Sequence, residues 1–113
     1  GHPVLIQFWA GWNAKARKDN QKLIALYDGF NRKGIKMLGV SLDEKEVVWK
    51  GAVQLDSLPW KQVCDLGGLK SEIGKTYNLP ERLPYYYLLD ENHTILYKNK
   101  NLDSLLMEVD RLD

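Results

Sequence analysis

One cysteine and two histidines are the residues of this 113-residue chain best suited to nucleophilic, redox or metal chemistry. A lone Cys64 cannot close an intramolecular disulfide, and it cannot supply a Cys-x-x-Cys redox pair or a four-cysteine zinc site. A thiol becomes reactive beside a helix N-terminus or a cation, and otherwise behaves as a small apolar residue. Cys64 lies far in sequence from the helix start near residue 13, so it reads as a packing residue. His2 stands at the terminus and His93 in a turn, neither with acidic or cysteine partners at ligand spacing. No metal and no cofactor is therefore expected. No glycine-rich phosphate loop and no Ser/His/Asp arrangement stands out. Lys15, Arg17, Lys18 and Lys22 cluster at the start of a helical stretch, where an anion could bind. Asp19 dilutes that cluster, which reads more simply as a solvated face.

The elements that must carry these residues follow from patterning. Val4-Leu5-Ile6-Gln7-Phe8-Trp9 is an apolar run without alternation, as in a strand buried on both faces. Gly11 breaks it, and Asn13 is a good N-cap for the helix that follows. Leu23, Ile24, Leu26, Tyr27 and Phe30 form one apolar stripe, and Gly34 ends the helix. Residues 35–42 read as a second buried strand, parallel to the first through a right-handed crossover. Asp43 is a candidate cap for a helix over 44–55 with Val47, Val48 and Val53 or Leu55 inward. Ser57-Leu58-Pro59 breaks the chain, Trp60–Cys64 is a short extended segment, Gly67-Gly68 a turn, and Leu69–Tyr77 a helix. Tyr85–Leu89 and Thr94–Lys98 form a hairpin through Asp90–His93. Leu102, Leu105, Leu106, Val109 and Leu112 mark a closing amphipathic helix. The order implies an α/β fold, a mixed central sheet with helices on both faces.

Composition sets the outer bounds. Hydrophobic residues make up 44% and charged residues 27%, the profile of a soluble globular domain, and residues 1–113 are expected to form one domain. A net charge of +1 argues against a nucleic-acid partner. No apolar run approaches the ~18 residues of a membrane span. The chain opens directly on a strand-like run, which reads as a domain trimmed from a longer protein.

Phe8-Trp9-Ala10-Gly11-Trp12-Asn13-Ala14-Lys15-Ala16-Arg17-Lys18-Asp19 resembles the active-site segment of thioredoxin-like proteins, in particular the TlpA/ResA and AhpC/TSA-related branch, which typically reads F-W-A-x-W-C-x-x-C-R-x-E-x-P. Gly39–Asp43, Trp60–Val63 and Leu83-Pro84-Tyr85-Tyr86-Tyr87-Leu88-Leu89-Asp90 resemble later segments of that family in order and spacing. The resemblance implies a thioredoxin fold, a bacterial cell-envelope location and descent from thiol-disulfide oxidoreductases. Their chemistry needs a thiolate at the helix start and a resolving thiol one turn on. Here those positions hold Asn13 and Ala16, an amide and a methyl with no such chemistry. Further departures at Ala14, Lys15, Asp19 and Gln21 read as natural degeneration rather than an engineered knock-out. By the same resemblance Pro84 corresponds to the family's cis-proline, and Trp12, Asn13, Leu83, Pro84 and Tyr85 are candidate binding residues flanking a peptide or protein groove at the former active site.

The leading expectation is a redox-inactive thioredoxin-fold interaction module. The alternative is a thiol-disulfide oxidoreductase or isomerase acting through Cys64 or a partner's thiol. A peroxidase-like relative is weaker, because its peroxidatic cysteine is equally missing.

Overall fold

A computed structural model describes residues 2–64, 66–67 and 83–112. The elements run β1 (Val4–Trp9), α1 (Ala14–Arg32), β2 (Lys36–Ser41), α2 (Glu46–Asp56), β3 (Lys61–Cys64), β4 (Tyr85–Leu89), β5 (Ile95–Asn99) and α3 (Leu102–Asp110). The strands form one mixed sheet in the order β3-β2-β1-β4-β5. β1 and β2 are parallel with Phe8 opposite Val40, as their helical crossover requires. β4 runs antiparallel to β1, with Phe8 opposite Tyr85, and pairs with β5 through the expected hairpin. The most apolar strand, β1, thus takes the centre of the sheet, where both of its faces and both of its edges are covered.

Alternation along the strands sorts side chains onto two faces. On one face Leu5, Met37, Tyr86 and Leu88 pack against Leu23 and Phe30 of α1 and Leu102, Leu105 and Val109 of α3. On the other lie Ile6, Phe8, Val40, Leu42, Leu83, Tyr87 and Leu89. Among the described residues the helices α1 and α3 sit against the first face. The helix expected over Leu69–Tyr77, and with it the expectation of helices on both faces, falls outside the described residues, as does Gly68 of the Gly67-Gly68 turn.

Three expectations are corrected. Leu26 does not belong to the buried stripe of α1. It is exposed, and the inward positions one turn before Leu23 are the polar Asp19 and Asn20. Asp43 does not cap α2, which starts at Glu46 after an N-cap Lys45 that makes no side-chain capping bond. Nor do Val47 and Leu55 point inward: they are 85% and 79% exposed, and Ala52 is the buried contact against Trp9 and Ala16. Apolar residues surround this helix on all sides, so periodicity selects no face. The small Ala52 allows close approach to α1, and that contact decides the rotation.

Among the described residues, no helix is long and apolar enough to cross a membrane.

Candidate functional site

The sheet delivers the end of β1 to the start of α1, and the turn between them is held at both backbone groups of Gly11. The Gly11 N–H donates to the two carboxylate oxygens of Asp43, at 3.0 and 2.9 Å. Asp43 is fully buried, and its carboxylate also accepts the hydroxyl of Ser41, whose Oγ takes the Asp43 N–H at 3.0 Å. The Gly11 carbonyl accepts from Arg17 Nη1 at 3.3 Å, while Arg17 Nε and Nη2 grip the Asp56 carboxylate at the end of α2. That bidentate pair pushes the Arg17 guanidinium further up from its ordinary range, chiefly through the hydrogen bond to Asp56. Glycine is required at position 11 by space. A Cβ there would stand 2.7 Å from the Val48 carbonyl and 3.0 Å from Ala52 Cβ. Gly11→Ala should therefore destabilise the chain by about 1–3 kcal/mol in urea denaturation, through backbone displacement of α2. A loss within error of zero would show that the turn and α2 separate freely.

Asn13 follows this turn with extended backbone angles, and its side chain makes two bonds. Oδ1 accepts the Ala16 N–H at 2.8 Å, the N-cap bond expected from sequence. Nδ2 donates to the carbonyl of Leu83 at 3.1 Å, across 70 residues. The Leu83–Pro84 peptide is cis. One amide thus ties the first turn of α1 to the segment that leads into β4.

Beneath that turn lies a buried polar cluster. Tyr86 Oη donates to Asp19 Oδ2 at 2.9 Å, Lys15 Nζ meets Asp19 Oδ1 at 2.9 Å, and Gln7 Nε2 donates to Asn20 Oδ1. Gln7, Asp19, Asn20 and Tyr86 are all fully buried. Burial first, and the Asp19 charge second, push the Tyr86 phenol strongly upward. A folded-state value above the unfolded value means that the folded chain holds this proton more tightly. The associated stability is complete below the unfolded tyrosine value of about 10 and is lost as pH rises above it. Stability should therefore fall on titration above about pH 10, and Tyr86→Phe should flatten part of that fall while lowering stability at neutral pH by about 1.5–3 kcal/mol, because a buried carboxylate loses a donor. Parallel alkaline profiles for the two proteins would contradict this.

The remaining candidates are not gathered as the sequence predicts. Trp12 is 60% exposed and lines a cleft of about 450 Å³ with Asp43, Glu44, Lys45 and Val48. Leu83 and Pro84 line a different one, of about 200 Å³, with Lys15, Lys100 and Asn101. Tyr85 lines neither: it packs against the second core face with its ring 5.7 Å from that of Tyr87. The expected single groove flanked by Trp12, Leu83 and Tyr85 is thus two clefts. The exposed Ala14 starts α1, and the buried Ala16 packs against Trp9 and Ala52. The basic cluster is largely spent on pairs, Lys15 with Asp19, Arg17 with Asp56 and Lys22 with Asp103. Cys64 is half-buried, with its thiol 3.7 Å from the Asp43 carbonyl. No group of three or more His, Cys, Asp or Glu side chains that could hold a metal occurs among the described residues. Sequence reasoning missed the anchoring role of Asp43 and the Asp19–Tyr86 and Gln7–Asn20 pairs. One signal was present: a glutamine inside an apolar run must find a buried partner.

Comparison with known proteins places this arrangement. A sequence profile of the AhpC/TSA family matches residues 1–98. The chain belongs to the AhpC/TSA family. Within that family it is 28% identical over 100 residues to thiol-disulfide oxidoreductase ResA of Bacillus thuringiensis subsp. konkukian (strain 97-27), covering 88% of this chain and 56% of ResA. The chain thus spans little more than half the length of the curated relatives it matches. A solved thiol-disulfide oxidoreductase from Bacteroides fragilis NCTC 9343 is 34% identical with a TM-score of 0.88, covering 99% of this chain and 82% of that one. The thioredoxin domain of a thiol-disulfide oxidoreductase from Bacteroides vulgatus is 30% identical with a TM-score of 0.86, covering 98% and 79%. This AhpC/TSA member has the thioredoxin fold and falls in the TlpA/ResA branch, a family of thiol-disulfide oxidoreductase-like proteins.

Proposed function

We propose that the chain is a single thioredoxin-fold module that carries out no dithiol–disulfide exchange of its own and holds a protein partner beside the N-terminus of α1. The observation that carries this reading is the side chain of Asn13. It stands where the family pattern has the attacking cysteine, and it is engaged on both sides, by the Ala16 N–H and the Leu83 carbonyl. An amide so held is a structural tie, and the methyl of Ala16 offers nothing to resolve a mixed disulfide. The remaining thiol, Cys64, ends β3 against the Asp43 carbonyl, on a strand rather than at the start of a helix. Trp12 and the Leu83–Pro84 segment are the contact residues in this reading, with aromatic exposure suited to protein recognition. Family resemblance supports a place in the bacterial cell envelope.

Insulin-disulfide reduction with dithiothreitol tests the proposal. The expected rate equals the blank. Turnover above the blank that disappears in Cys64→Ser would overturn it.

A further inference from the structure

We propose that the cleft lined by Lys15, Leu83, Pro84, Lys100 and Asn101 takes an extended, acidic segment of a partner protein, with its carboxylates on the two lysines. This rests on the reading of the chain as a binding module and adds the chemistry of what is bound. The floor is apolar, formed by the buried Leu83 and Pro84. The rim is cationic from two separate elements: Lys15 projects from the first turn of α1, and Lys100 lies between β5 and α3. Among the described residues no carboxylate lines the cleft.

The hydrogen-bonding capacity left over has one sign. Lys15 Nζ spends one contact downward on Asp19, yet its side chain remains 60% exposed. Lys100 has no hydrogen-bond or ion-pair partner among the described residues. The Asn101 side-chain oxygen is committed to the Ser104 N–H at 3.1 Å, so its amide N–H groups are what remains to offer. Among the acceptors there, the Leu83 carbonyl already takes one donor, the Asn13 amide. A rim of side-chain donors selects acceptors that carry negative charge. A free inorganic anion would leave the apolar floor uncovered. An extended polypeptide that rests apolar side chains on the floor and reaches sideways to the rim with long acidic ones satisfies both.

The test uses the 113-residue chain and two fluorescein-labelled eight-residue peptides, one alternating Glu with Val and the other Gln with Val, read by anisotropy. The Glu–Val peptide should bind about tenfold tighter than the Gln–Val peptide, and added salt should erode the difference. Lys100→Glu should weaken Glu–Val binding about tenfold and affect Gln–Val binding far less. Lys100 is exposed and unpaired among the described residues, so the variant should fold, which its circular dichroism would verify. Equal affinity for the two peptides, binding of neither, or a Lys100→Glu variant that holds the acidic peptide as well as wild type would each overturn the assignment. The insulin assay on the same preparation separates this from the broader reading. Reductase activity would overturn the redox-inactive module and leave an observed acidic preference intact, whereas equal peptide affinities without reductase activity would overturn the acidic preference alone.

Discussion

Asp43→Ala lowers the unfolding free energy by about 3–5 kcal/mol, the largest stability loss expected of any single polar side chain here. Two opposing effects decide the size. Removing a buried carboxylate relieves its desolvation, which favours the variant. Against that, the Gly11 N–H loses both of its acceptor oxygens, and the Ser41 hydroxyl loses its own. Hydrogen bonds to a charged group contribute about 1.5–3 kcal/mol each, and a buried donor left without a partner adds its own desolvation. Two such donors outweigh the relief, because the carboxylate was already compensated by them. Asp43→Asn keeps the shape and one acceptor oxygen, and should lose about half as much. Urea denaturation of the three proteins reads this directly. An alanine variant within about 1 kcal/mol of wild type would mean that Asp43 does not hold the turn.

The second expected result is a gain. The double variant Asn13→Cys/Ala16→Cys should accelerate insulin-disulfide reduction about tenfold or more over the blank, where the parent is expected to match the blank. The argument is geometric. Residue 13 occupies the N-cap of α1, where unpaired N–H groups and the helix dipole stabilise a thiolate, and residue 16 follows at N3 with its N–H 2.8 Å from the residue 13 side chain. Each half-reaction balances in thiols. The introduced thiolate at position 13 attacks an insulin disulfide, the introduced thiol at position 16 resolves the mixed disulfide, and dithiothreitol reduces the resulting pair again. The variant also frees the Leu83 carbonyl from the Asn13 amide. A double variant that folds and stays at the blank rate would show that the surroundings of the motif, and not its thiols alone, are unsuited to exchange.

What the sequence reveals and conceals divides along a physical line. Features written within a few residues are legible. The Asn13 cap, the end of α1 at Gly34 with its φ of +75°, and the Asp90–His93 hairpin are local in origin and stand as read. Asp43 shows the limit. An aspartate before a helical stretch looks like a cap, and only the fold reveals that its acceptor sites face Gly11, 32 residues back in the chain. The same holds for Asp19 and Asn20, polar residues that a helical pattern assigns to solvent and that the structure buries beside Tyr86 and Gln7. On the candidate site, sequence names the start of α1 and the Leu83–Pro84 segment, which the bond from Asn13 to the Leu83 carbonyl brings together. It could not show that Trp12 opens onto one cleft and Leu83 onto another, because that division depends on where Lys100, Asn101 and the start of α2 arrive.

The placement of β1 between β2 and β4 also governs how the chain must be assembled. β1, α1 and β2 form a contiguous unit that can close soon after it leaves the ribosome. The other edge of β1 waits for β4, and the bonds that finish the site span 70 residues from Asn13 to Leu83 and 67 from Asp19 to Tyr86. Such distant contacts slow the search for the native state. Throughout that interval the most apolar strand presents a row of unpaired amides and carbonyls, a template on which a neighbouring nascent chain can add. The period of greatest exposure to misassembly therefore ends with the docking of the Tyr85–Leu89 strand, and substitutions that delay that docking should lower soluble yield before they lower the stability of the finished protein.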